Sequence, residues 1–319
     1  MDQISKFALD AQEAARIDHL MGEVARECAS VEDETFLGAI GDLKGALPGR
    51  LRDALRRFAD EKDHAVCVVS GFPVEEIVAP TPRHWREVRL PRSRFDYFFV
   101  LASSVVGDVF GFSDLQDGRL MQEIFPIRDD ARKQLGTGSV YLALHTEDTA
   151  LDYRADYLGF SCGRNVDRIP TDVAIPDFGR LALSTVRALQ SPSFKTFKDR
   201  PVLEDGARGD AYSVGPILFK YAGRLGMRYD PLYMDFSELS PTDAAAINDL
   251  VALVEASVVP VCLQPGEIAF IDNNRCAHGR KGFEPRYDGT DRWLKRIQIS
   301  NRLDRYRHAC LPGRWNVLP

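Results

Sequence analysis

No run of about 18 consecutive apolar residues occurs in this sequence, so it offers no candidate for a membrane-spanning helix. The first thirty residues also lack a basic stretch followed by an apolar one. That pattern predicts a protein kept in the cytoplasm. The six cysteines (Cys28, Cys67, Cys162, Cys262, Cys276 and Cys310) lie far apart with no C-x-x-C. This spacing excludes a disulfide framework and a zinc knuckle, and leaves the thiols as reduced packing residues. Positive charge is not massed anywhere: 41 Lys and Arg are scattered among 47 Asp and Glu, for a net charge of -6. Neither nucleic acid nor a membrane surface is therefore expected as a partner. There is no internal repeat and no low-complexity tract, and oligomeric state is not legible.

With 45% hydrophobic residues in 319, the chain can bury a large core. We expect a single domain over 1–319. Apolar residues recur at helical spacing over 7–28 (Phe7, Ala8, Ala11, Ala15, Ile17, Leu20, Met21, Val24) and again over 49–60. "HAVCVVSGFP" (64–73) predicts a strand and a turn, and the long apolar stretch 95–112 predicts a buried helix. Residues 1–112 thus form a mostly helical scaffold. From about 136 to 305 the texture changes to short strand-like runs broken by Gly, Pro, Asp and Asn, as in a β-sandwich or a jelly roll. One helix interrupts them at 240–257, with Ser240 as N-cap and Pro241 at its first position. The charged stretch 193–213 reads either as a solvated loop or as a lid over a site.

Chemistry concentrates in three places. "LALHTED" holds His145 and Glu147 two positions apart, which on a strand puts both on one face. Six histidines and 47 acids make about one H-x-[DE] expected by chance, so the pair needs support. Support comes from "GEIAFIDNNRCAHGRKGF", where an apolar strand ends in Asp272, Asn273 and Asn274 and is followed by His278. Two histidines and a carboxylate make the facial triad of non-heme Fe(II) oxygenases, which leaves positions open for a cosubstrate and dioxygen. In "DGTDRWLKRIQIS", strand alternation aims Arg292, Leu294, Arg296 and Gln298 to one side and Trp293, Lys295 and Ile297 to the other. Arginine forks there suit a dicarboxylate that chelates iron at its far end.

The segments "HTED", "YRADYLGFSCGRN", "RYDP" and "GEIAFIDNNRCAHGRKGFEPRYDGTDRWLKR", in this order over about 110–305, resemble the clavaminate synthase-like Fe(II)/2-oxoglutarate oxygenases. The likeness is closest to the hydroxylases of free arginine, asparagine and lysine. The resemblance implies a mainly β fold with flanking helices and a double-stranded β-helix (jelly roll) core. It implies Fe(II), 2-oxoglutarate as cosubstrate, dioxygen, and a small L-amino acid as substrate. By position, it implies that His145, Glu147 and His278 hold the iron. Arg292 then binds the distal C5 carboxylate of 2-oxoglutarate with help from Thr171. Arg296 takes the substrate α-carboxylate, while Glu147 and Gln122 meet its α-amino group.

One departure stands out. Arginine hydroxylases of this group hold the guanidinium with an Asp-x-Asp step, and here Asp230 is followed by Leu232 at the second place. A single carboxylate serves a compact ammonium better than a five-donor fork, which points to lysine or another polar amino acid. Asp230 can equally open the turn before Pro231. Glu147 bears on the reaction type. In related halogenases the acid is Gly or Ala, so a carboxylate favours hydroxylation, with desaturation or cyclisation as variants that begin in the same way. The competing class is a non-catalytic jelly roll that binds a small ligand or a carrier protein, which would have no use for the three ligands together with Arg292.

Overall fold

The computed structural model describes residues 3–74, 79–89, 92–198 and 211–319. Four helices come early: α1 (Ala11–Glu27), α2 (Glu34–Ala46), α3 (Gly49–Glu61) and α4 (Arg94–Val106). Asp10 starts α1 by accepting from the Glu13 N–H while the Glu13 carboxylate returns to the Asp10 N–H, and Ser93 and Asp96 do the same for α4. Helix α4 is buried on nearly every face, because α1, α2 and α3 pack around it on one side and a sheet closes the other.

That sheet has eight strands among the described residues. Its order is Ile4–Ala8, Val66–Ser70, Ile268–Asp272, Tyr157–Arg164, Trp293–Ser300, Asp108–Phe112 and Val317–Leu318, with Met121–Ile124 also paired to Trp293–Ser300. A second sheet runs Val258–Val261, Thr171–Ala174, Ala277–Arg280, Leu142–His145. Alternation assigns the faces. In Trp293–Ser300, Ile297 and Ile299 join the helix-side core and Lys295 reaches Asp96 on α4 at 2.5 Å, while Leu294 joins the core between the sheets. That inner core draws Leu158, Phe160 and Ile271 from the large sheet and Val173 and Val261 from the small one. The outer face of the small sheet is covered by α5 (Leu183–Leu189) and α6 (Pro241–Ala256) through Leu144, Ala174, Ala277, Leu189, Leu250 and Val254. Ser240 caps α6 as expected.

Two expectations change. Phe7 and Ala8 belong to a strand, Ile4–Ala8, that pairs in parallel with Val66–Ser70, and the first helix begins only after Asp10. The stretch 95–112 is helix only to Val106; Gly107 breaks it and Asp108–Phe112 is a strand. A fully buried helix and a fully buried strand both read as continuous apolar sequence, so periodicity does not separate them. "YRAD" is a loop that leads into the strand Tyr157–Arg164. Within 193–213, Phe194–Phe197 pairs antiparallel with Tyr212–Gly215, and 199–210, where a lid would lie, falls outside the described residues. No described helix is long and apolar enough to cross a membrane, and the six cysteines are free thiols.

Candidate active site

The strand Leu142–His145 pairs antiparallel with Ala277–Arg280 so that His145 lies directly opposite His278, with ring centroids 4.4 Å apart. Gly279 permits this approach. A Cβ there would stand 2.6 Å from the Leu142 carbonyl oxygen, closer than any side chain tolerates. His145 Nδ1 is 2.8 Å from the Ala143 carbonyl oxygen. A carbonyl only accepts, so Nδ1 carries the proton and Nε2 keeps its lone pair for the cavity.

Glu147 reaches the same place by another route than strand alternation. The strand ends at His145, and Glu147 sits in the turn that follows, before Asp148 at φ +51°. The side chain of Asn273, remote in sequence, fixes this turn. Its Oδ1 accepts from the Glu147 N–H at 2.7 Å, and its Nδ2 donates to the carbonyls of Glu147 (3.2 Å) and Ala155 (2.8 Å). The Glu147 carboxylate is divided between two tasks: Oε1 accepts from Arg296 Nη1 at 2.6 Å, while Oε2 lies 3.7 Å from His145 Nε2 and 3.5 Å from His278 Nε2. Oε2 is buried and has no hydrogen-bond partner. An unpaired buried carboxylate oxygen between two imidazole nitrogens is costly unless a cation joins them. The three ligand atoms lie within 4.8 Å of one another and can converge on one metal ion. This nitrogen and carboxylate set, with one side open to a cavity, fits iron of the facial-triad kind.

The three groups bias one another's protonation, and a metal ion bound among them would displace the proton that His145 otherwise holds at Nε2. Burial works against charge on His145, but Glu147 and Asp230 outweigh it and raise its pKa to about 9. Burial and the charge of His145 push His278 down to about 4. Burial disfavours the Glu147 carboxylate too, yet Arg296 and the two imidazoles hold its pKa well below the usual range.

A cavity of about 860 Å³ opens from this cluster, and Thr171, Arg292 and Arg296 share its lining with the three ligands. Arg292 Nη2 donates to Thr171 Oγ1 at 2.8 Å, and its Nε is buried without a partner. Burial lowers the pKa of Arg292 to about 10, still charged at neutral pH. Two candidates lie outside the lining. Gln122 is the cross-strand neighbour of Arg296, its Nε2 donating to the Arg119 carbonyl at 2.7 Å and its Oε1 unpaired. Asp230 is buried beside Thr146, whose backbone and hydroxyl bind Tyr229, and its Oδ1 accepts from the Leu232 N–H at 3.0 Å, the turn role anticipated for it. Leu232 itself lines the cavity.

Sequence reading missed Asn273, though it was visible as the end of an apolar strand shortly before a ligand. Gln298, on the inward face with Arg296, donates to Asp148 Oδ2 at 3.0 Å and braces the turn beyond Glu147. Arg280 donates to the carbonyls of Gly136, Gly138 and Val140.

The family described as "Taurine catabolism dioxygenase TauD, TfdA family" matches residues 183–298, which include His278, Arg292 and Arg296 but not His145 or Glu147. Over a much longer span, the chain is 32% identical to the L-ornithine/L-arginine 3-hydroxylase of Catenulispora acidiphila, covering 93% of this chain and 95% of that one. The chain belongs to the clavaminate synthase-like Fe(II)/2-oxoglutarate oxygenases. This oxygenase is also 32% identical to the enduracididine beta-hydroxylase of Streptomyces hygroscopicus, over 97% of this chain and 98% of that one. Among solved structures it resembles the non-heme iron oxygenase OrfP in complex with Fe and alpha-ketoglutaric acid, with a TM-score of 0.90, 33% identity, and coverage of 98% of this chain and 100% of that one. OrfP in complex with Fe, succinate and (3S)-hydroxy-L-Arg is matched equally well, at a TM-score of 0.90.

Proposed function

We propose that this protein is an Fe(II)/2-oxoglutarate-dependent dioxygenase that hydroxylates an unactivated C–H bond of an L-amino acid with a basic or polar side chain. Its two facing sheets we read as the walls of a double-stranded β-helix, braced by α1 to α4 within a single domain. With an amino acid and a central metabolite as its reactants, the cytoplasm is the compartment we assign. The observation that carries the reading is the unpaired Glu147 Oε2 between two imidazoles, in one cavity with the Arg292–Thr171 pair.

In this reading His145, Glu147 and His278 hold the iron. When bound, iron, 2-oxoglutarate and dioxygen supply the oxidising chemistry, in which 2-oxoglutarate ends as succinate and carbon dioxide and one oxygen atom ends on the substrate carbon. The chain's own residues position and exclude water. Arg292 and Thr171 fix the distal carboxylate of 2-oxoglutarate, and the unpaired Arg292 Nε gives the guanidinium a donor to spare. Arg296 spends one Nη on Glu147 and keeps a buried, unpaired Nε for the substrate α-carboxylate. Glu147, and Gln122 through its unpaired Oε1, are the acceptors for the α-ammonium.

The relatives act on ornithine, arginine and enduracididine. Leu232 in the cavity wall leaves Asp230 as the one carboxylate at that step, which favours an ammonium or a neutral polar end over a guanidinium. The reading is tested by screening amino acids for substrate-dependent succinate formation with a product heavier by one oxygen atom. A screen in which basic and polar amino acids all fail, with iron and 2-oxoglutarate bound, would remove the substrate assignment.

A further inference from the structure

Arg280 and Arg292 are both buried, both line the cavity, and among the described residues neither has a carboxylate within ion-pair distance. Strand register brings them together. Gly279 pairs with Asp172, so Arg280 follows beside Thr171, the residue that accepts from Arg292. Arg280 keeps its Nε unpaired; its Nη groups hold the carbonyls of Gly136, Gly138 and Val140, and its guanidinium lies over Phe283 at 4.7 Å. Gly136 and Thr137 of that same loop form part of the cavity wall. Two buried cations without an anion are an expensive arrangement, offset when a ligand brings the negative charge. Carbonyl dipoles solvate Arg280 but do not cancel its charge.

We propose that Arg280 is a second guanidinium of the cosubstrate end of the cavity, which pairs its charge with that of Arg292 to select a dianionic 2-oxo acid and ties the 136–140 loop over that end. This rests on the assignment of Arg292 to the distal carboxylate. Arg280 acts through its field and the loop, as a positioning residue. Its spacing of two from His278 on one strand links the metal cluster to that loop.

The test is an anaerobic titration of the Fe(II)-loaded enzyme with 2-oxoglutarate, followed by the iron-to-ketoacid absorption. Arg280→Gln should raise the Kd for 2-oxoglutarate by roughly tenfold or more, and Arg280→Lys, which keeps the charge, should stay within about threefold of the parent. Cobalt(II) affinity should be unchanged in both. If Arg280→Gln does not fold, Arg280→Met, which keeps the stem against Phe283, replaces it. An unchanged Kd in the charge-neutral variant overturns the proposal, as does an Arg280→Lys variant impaired as much as Arg280→Gln, which would leave only a loop anchor. If the parent enzyme itself gives no absorption, the failure lies in the reading of the whole site and not in Arg280.

Discussion

The Asn273 carboxamide brackets the backbone of Glu147, accepting from its N–H at 2.7 Å and donating to its carbonyl at 3.2 Å. The two residues are 126 positions apart. Asn273 is fully buried, held from behind by Arg154, which donates to the Asn273 carbonyl at 3.3 Å and to Asn274 Oδ1 at 2.6 Å. A turn that strand geometry would leave loose is thereby fixed, and with it the carboxylate that faces both histidines.

Replacing Asn273 with Ala should therefore weaken metal binding by about 10- to 100-fold, the range for residues that orient a ligand without touching the metal. Cobalt(II) titration measures this directly. Affinity equal to the parent would show that Glu147 needs no such support.

Leu232 stands at the position where arginine hydroxylases of the group carry a second aspartate. Leu232→Asp puts a carboxylate on the cavity wall within reach of a guanidinium. The ratio of kcat/KM for arginine over lysine should rise by roughly tenfold or more. A ratio that does not move would mean that the side-chain end of the substrate lies elsewhere.

Asp272 governs a pH-dependent part of the stability. Burial raises its pKa to about 6 from 3.8, against the pull of Lys62 and Arg275, and its Oδ2 has no partner. The folded state therefore holds this proton more tightly than the unfolded chain. The stabilisation is complete below the unfolded value and is lost as pH rises through about 6, at a cost of about 3 kcal/mol. Asp272→Asn should remove that slope, so the variant gains on the parent between about pH 4 and pH 7 in denaturant unfolding. A constant difference across that window would contradict the assignment.

The sequence carried much of this site because its ligands and arginines obey local rules. Leu294, Arg296 and Gln298 follow strand alternation, Arg292 lies just before that strand begins, and Ser240 and Pro241 start α6 as their chemistry requires. What stayed hidden depends on contacts across the chain. The pair His145 and Glu147 suggested a shared strand face, yet the strand stops at His145 and Asn273 does the orienting. The register that sets His145 opposite His278 depends on Gly279, whose role shows only against the Leu142 carbonyl. Phe7 and Ala8 looked helical because the partner of their strand, Val66–Ser70, is some sixty residues away.

On this proposal, His145, Glu147 and His278 hold one iron to which 2-oxoglutarate binds. Anaerobic addition of Fe(II) and then 2-oxoglutarate tests it most directly. A visible charge-transfer absorption should appear that saturates with stoichiometric iron in the parent and is absent in Glu147→Ala. Iron-loaded parent protein that shows no such absorption, or a Glu147→Ala variant that keeps both the absorption and turnover, would contradict it.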